Sequence, residues 1–165
     1  MDFALIENGN GGELVKQSND FAIVEGWTNM IYLALFGGNV EAVTKIKVLG
    51  EQNFDWWANN LLMPSDSSVQ FNSLTEKALM GVALNSAGRA YLEKVVKQDL
   101  AFMADFANIK VVVSIEGVDR VRIEIQVRQP NVVQNAYRAY IYIWDATKQQ
   151  LGDFSILDFN DDFFV

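Results

Sequence analysis

Residues 86–128 read SAGRAYLEKVVKQDLAFMADFANIKVVVSIEGVDRVRIEIQVR, and within them the hydrophobic period changes once, from helical to alternating. Over 86–106 the apolar residues form two adjacent stripes, Leu92, Val96, Leu100, Met103 and Tyr91, Val95, Phe102, Phe106. Arg89, Glu93, Lys94, Lys97 and Asp105 take the remaining surface, which predicts one amphipathic helix with one buried side. From Ile109 the period is two: Ile109, Val111, Val113 and Ile115, then a Gly117-Val118-Asp119 turn, then Val121, Ile123, Ile125 and Val127 against Arg120, Arg122, Glu124, Gln126 and Arg128. The spacing predicts a helix laid on a half-exposed hairpin, with the rest of the chain packing onto or extending that unit. Function then belongs to an exposed sheet edge or to a loop carried by it.

The chain has 165 residues, half of them hydrophobic (50%) and 12% aromatic, which suits one domain with a real core. Its net charge of −8 disfavours nucleic acid and anionic membranes, whose phosphates are bound through clustered Lys and Arg, and favours a protein partner. Without Cys or His it has no disulfide framework, no thiol nucleophile, and neither the usual general base nor the usual metal ligand. No small-molecule substrate, cofactor, metal site or catalytic residue is therefore expected. The longest apolar run, residues 30–36, is far short of the roughly 20 residues of a membrane span, and no basic-then-apolar leader opens the chain, so a cytosolic place of synthesis and use is expected.

Before the helix, residues 2–6, 13–16 and 21–24 read as short strands separated by turn-forming clusters at 7–12 and 17–20. The glycine cluster lacks the Lys-Ser/Thr of a phosphate loop and reads as a hairpin turn. Residues 26–36 are apolar nearly all round and stop at Gly37-Gly38, as a buried helix does. Periodicity fades over 39–64, where 45–49 is a candidate strand and Phe54-Asp55-Trp56-Trp57 stands in a polar loop. Those rings either fold back as a lid on the core or anchor a partner. Ser73-Leu74-Thr75-Glu76 has the form of a capping box and predicts a helix through Leu84, broken by Asn85-Ser86, which caps the long helix.

After the hairpin, residues 137–144 alternate again, Tyr137, Ala139, Ile141 and Ile143 against Arg138, Tyr140, Tyr142 and Trp144. A third strand is predicted, whose aromatic face is either covered by another element or is where a partner docks. Residues 145–165 mix Phe154, Ile156, Leu157, Phe159, Phe163 and Phe164 with aspartates without a clean period. They either fold back over that aromatic face or reach a neighbouring subunit as an arm. The expected fold is α+β, a mostly antiparallel sheet with three helices packed on it, as a single domain over 1–145 with an acidic, aromatic extension over 146–165.

This order of elements, short strands, an apolar helix ending near Phe36, a loop with Trp56-Trp57, a helix pair, a Val/Ile hairpin and a Tyr-rich last strand, resembles the small baseplate wedge protein of contractile-tailed phages, in its Mu-like form. The family's Gly-Trp-Trp-Gly loop is matched here at the tryptophans and missed at both glycines, and the Glu-Pro-Arg signature of its T-even relatives is absent, residues 85–89 occupying a broadly similar place. The resemblance covers roughly 2–145. It implies a structural protein of the virion tail baseplate, assembled in the host cytoplasm, with a fold similar to the sheath interlocking domain. Its partners would be other wedge proteins and tail-sheath subunits, the first sheath ring being templated by strand addition. The residues expected to meet partners are Phe54, Trp56, Trp57, Arg89, Tyr140, Tyr142, Trp144, Phe154, Phe159 and Phe163, with the free edge expected at 121–128 or 137–144. The competing readings are a lysozyme-like peptidoglycan hydrolase built on carboxylates, a calcium loop at Asp158, Asn160 and Asp162, and a protein-binding adaptor outside phages.

Overall fold

A computed structural model describes residues 2–7, 12–24, 27–37, 61, 73–130 and 136–159. The chain is α+β and its strand pairs are antiparallel. It forms two compact units, Met1–Lys77 and Ala78–Val165, and residues 150–159, half of the expected 146–165 extension, form a strand of the second unit's sheet.

The first unit opens with six short strands: β1 (Asp2–Phe3), β2 (Leu5–Glu7), β3 (Gly12–Leu14), β4 (Lys16–Gln17), β5 (Asp20–Phe21) and β6 (Ile23–Val24). They pair as β1 with β6, β2 with β3 and β4 with β5, so the chain runs out and back along three arms rather than forming a flat meander. The arms meet in a closed ring of backbone hydrogen bonds. Ala4 N–H donates to Ala22 O (2.8 Å), Ala22 N–H to Val15 O (2.7 Å) and Val15 N–H to Ala4 O (3.0 Å). The sequence carries the signal in a repeat, Asp-Phe-Ala-Leu-Ile-Glu at 2–7 and Asp-Phe-Ala-Ile-Val-Glu at 20–25, which places an alanine at two of the three crowded corners. Helix α1 (Thr28–Phe36) follows, with Ile31, Tyr32, Ala34, Leu35 and Phe36 buried. Its Asn29 side chain serves the arms, accepting from Leu5 N–H (3.3 Å) and donating to Phe3 O (2.6 Å). Gly37 ends it as anticipated: its N–H donates to Leu33 O (3.0 Å), and a Cβ there would strike that same carbonyl.

Helix α2 (Leu74–Gly81) lies across the division between the units and stops short of Leu84. It begins at the predicted place, but the buried Ser73 hydroxyl meets no partner among the described residues, so its half of the capping box is not made. Asn85 does cap α3 (Ser86–Asp99), its Oδ1 accepting from Gly88 N–H (2.9 Å). The predicted helix over 86–106 ends at Asp99, and Ala101–Asp105 tightens to a 3-10 turn. Leu92, Val96, Leu100 and Met103 are buried; of the second stripe Val95 is buried and Tyr91 exposed within α3, and past the change of winding Phe102 and Phe106 are exposed.

The second unit's sheet has the order β10-β9-β8-β7, formed by β7 (Asn108–Glu116), β8 (Arg120–Arg128), β9 (Tyr137–Asp145) and β10 (Gln150–Phe159). The β7–β8 hairpin turns at Gly117, whose φ of 80° is the left-handed conformation a side chain disfavours. Cross-strand partners share a face. Val113, Ile123 and Tyr142 therefore lie in one row, as do Val111, Ile125 and Tyr140, and all six are buried. Helix α3 packs on β7. The opposite face of β8 is polar and paired: Glu124 accepts from Arg122 Nη1 and Gln126 Nε2, each at 2.6 Å. Partial burial pushes the Glu124 carboxyl up, and these bonds outweigh it, holding the group below its ordinary range.

Candidate functional site

Sheet order decides where the chain can meet another strand. The strands expected to be free, 121–128 and 137–144, are the two central ones, so that expectation is corrected: among the described strands the edges of this sheet are β7 and β10. Tyr140, Tyr142 and Trp144 are likewise corrected as docking residues. At 2%, 1% and 2% exposure they sit in the chain's own core, in register with Ile125, Ile123 and Val121.

β10 is held to β9 by specific side chains. The β9–β10 turn is closed by Lys148 N–H on Asp145 Oδ1 (2.9 Å), and Gln149 takes a positive φ of 53°. That bond, then the Lys148 charge, keeps the Asp145 carboxyl below its usual pKa. The register shifts between Leu151 and Asp153, a bulge at Gly152, and then runs regularly from Asp153↔Ile143 to Phe159↔Tyr137. Phe154 stacks on Tyr142 and Phe159 on Tyr137, each with centroids 4.8 Å apart. The end of the strand is pinned by Arg138, which grips Asp158 through Nε and Nη2.

On its outer side β10 pairs with no other described strand. Because neighbours alternate, Phe154 and Ile156 (each 37% exposed) project on one face while Leu157 (44%) and Phe159 (37%) project on the other. Lysine, proline or an inward charge would blunt such an edge, and between Gly152 and Phe159 there are only Asp153 and the arginine-bound Asp158. β7 is better guarded, with exposed Lys110 and Glu116 along it and α3 packed against it. β10 is therefore the candidate site, a strand with no described strand outside it and apolar side chains on both faces, one of whose backbone donors, Phe154 N–H, is already held by Asp153 Oδ1 at 2.8 Å.

Of the residues anticipated at a partner surface, Phe154 and Phe159 lie on this strand. Arg89 lies on α3, where it meets Glu93 (3.5 Å), and Glu93 also holds Lys97 (2.7 Å), a solvated ladder of the kind that contributes little. The Lys97 bond, partly opposed by desolvation, lowers the Glu93 pKa. Phe54, Trp56, Trp57 and Phe163, and the candidate strand 45–49, lie outside the described residues. Ile156 and Leu157 were not anticipated as site residues. Apolar residues on both faces and the bulge at Gly152 erase the two-residue period that marks a half-buried strand.

Among the described residues no helix is long and apolar enough to cross a membrane. Comparison with protein-family models, with curated proteins and with solved structures gives no match.

Proposed function

We propose that this chain is a structural assembly protein of a contractile-tail baseplate, phage or phage-like, and not an enzyme. In this reading it joins wedge components and templates the first sheath ring by taking an extended arm of a sheath subunit, or of another wedge protein, onto the outer edge of β10. The observation that carries the reading is that edge: a ten-residue strand with apolar side chains on both faces and no described neighbour outside it. Backbone groups there supply affinity, and the gaps between Phe154, Ile156, Leu157 and Phe159 select the arm's side chains. A surplus of carboxylates, with net charge −8, steers a basic partner toward the chain.

The test uses co-expression with the sheath, tube and wedge proteins encoded beside its gene, and two proline variants. Adjacent strand residues direct their N–H groups to opposite sides, so of Ser155→Pro and Ile156→Pro one removes an outward donor and the other a bond to β9. The outward variant should stay folded and lose the co-purifying partner. Full partner binding by both variants, or no partner among the neighbouring gene products, would overturn the proposal.

A further inference from the structure

We propose that the Asp153 carboxylate is an autoinhibitory guard of β10: by taking the Phe154 N–H it closes the outer side of that strand to pairing, and an incoming strand must displace it first. The inference deepens the assembly role, since it concerns access to the same edge; it rests on that reading for the arm and not for the guard.

Backbone direction shows that the guarded donor is an outward one. Ala146 N–H donates to Asp119 O (2.8 Å), and opposed pairs in an antiparallel ladder alternate between bonded and non-bonded. Counted in twos from that bond along the β8–β9 register, Val121 with Trp144 and Ile123 with Tyr142 are bonded pairs. Tyr142 therefore spends its backbone on β8, and its neighbour on the other side, Phe154, turns N–H and C=O away from β9. Ile156 and Asp158 turn outward with it. The first of these three outward donors meets Asp153 Oδ1 at 2.8 Å.

The same contact stands on a second open strand. Among the described strands β5 pairs with β4 alone. Ala22 N–H donates to Val15 O (2.7 Å), so the next pair, Phe21 with Lys16, is non-bonded and Phe21 N–H turns outward. It donates to Asp20 Oδ1, again at 2.8 Å. An Asp-Phe dipeptide is not enough by itself. Asp158 and Phe159 also stand on β10, but Phe159 turns inward to β9 and the Asp158 carboxylate is held by Arg138. The preceding carboxylate is used where the amide has no strand to receive it.

Such a contact opposes pairing in two ways. The donor is occupied, and the carbonyl of an incoming strand must sit where the charged Oδ1 now lies. Asp153 makes no ion pair among the described residues, in contrast to Asp158, so one exposed hydrogen bond is all that an arm has to break.

Two measurements on the full chain test the guard. In amide exchange, Phe154 should exchange about fivefold or more slowly than Ile156 relative to their intrinsic rates; Asp153→Ala should remove that difference, and Asp153→Asn, which keeps an acceptor oxygen, should retain most of it. The second uses a fluorescent peptide of residues 137–145, the strand whose side chains already fit β10, with lysines added at its ends for solubility. Asp153→Ala should bind it about fivefold more tightly than the unmodified chain, and adding Ile156→Pro, which deletes the next outward donor, should cancel the gain. The peptide's positive charge favours the unmodified chain, so a gain cannot come from charge. Equal exchange of Phe154 and Ile156 in the unmodified chain, a peptide affinity that Asp153→Ala leaves unchanged, or a gain that survives Ile156→Pro would each overturn the guard. Partner binding abolished by Ile156→Pro, in a chain whose Asp153→Ala variant gains nothing, would overturn the guard alone. The expected gain for the peptide, in a chain that binds no neighbouring gene product, would overturn the assembly role alone.

Discussion

Arg138 on β9 and Asp158 on β10 are register partners twenty residues apart, joined by Nε on Oδ1 and by Nη2 on Oδ2 at 3.1 Å. The hydrogen bond from Arg138, more than its charge, holds the Asp158 carboxyl below its ordinary value of 3.8. A depressed carboxyl stabilises the fold above the unfolded pKa, and the contribution is lost as pH falls through the lower, folded value. Both side chains are substantially exposed, at 37% and 63%, so screening keeps the effect small. Asp158→Asn should cost about 0.2–1 kcal/mol at pH 7. Urea melts should show that difference shrinking below the ordinary carboxyl pKa and in high salt; a difference that grows on acidification would contradict it.

The aromatic face of β9 is core, so its substitution should act on stability before binding. Tyr142, 1% exposed, stacks on Phe154 and lies in register with Ile123. Tyr142→Ala should lower stability by about 3–5 kcal/mol, in the range for large aromatic truncations in cores. Thermal melting of the isolated chain checks this. An unchanged melt with weakened partner binding would return the ring to the surface.

Gly88 reverses a general rule. Replacing Gly by Ala inside a helix usually gains about 0.8–1 kcal/mol. At Gly88 the new Cβ would strike the Ala83 carbonyl oxygen, so Gly88→Ala should destabilise the chain. Asn85→Ala, which deletes the cap on the Gly88 amide, should cost about 1 kcal/mol. Denaturant midpoints for the two variants should both fall, and a rise for Gly88→Ala would show that the turn before α3 yields.

Truncation after Ala146 removes β10 whole. β9 then becomes an edge, and Tyr142, Tyr137 and Arg138 lose Phe154, Phe159 and Asp158. The shortened chain should aggregate and melt lower by at least roughly 5 °C, measured by calorimetry with size-exclusion chromatography. A soluble chain of unchanged melting temperature would show β10 to be dispensable to its own sheet.

Much of this fold was legible in the sequence because period reports burial. Ile109 to Val127 alternate where the sheet has one covered face, Asn85 stands where α3 starts, and Gly37 stands where α1 must stop. The same information failed where two forces overlapped. Phe102 and Phe106 continue the helical spacing of Val95, yet the chain tightens after Asp99 and leaves those two rings outside while Val95 is buried. Residues 150–159 have no period at all, because an edge strand apolar on both faces and broken by a bulge has none to show. Composition by itself, without Cys or His and with net charge −8, weighed against most catalytic chemistry and toward protein partners. Only the tertiary structure decided which strands are central and which lie at the edge, since strand order arises from long-range pairing: β8 and β9 are covered by their neighbours, and among the described strands β7 and β10 are the outer ones.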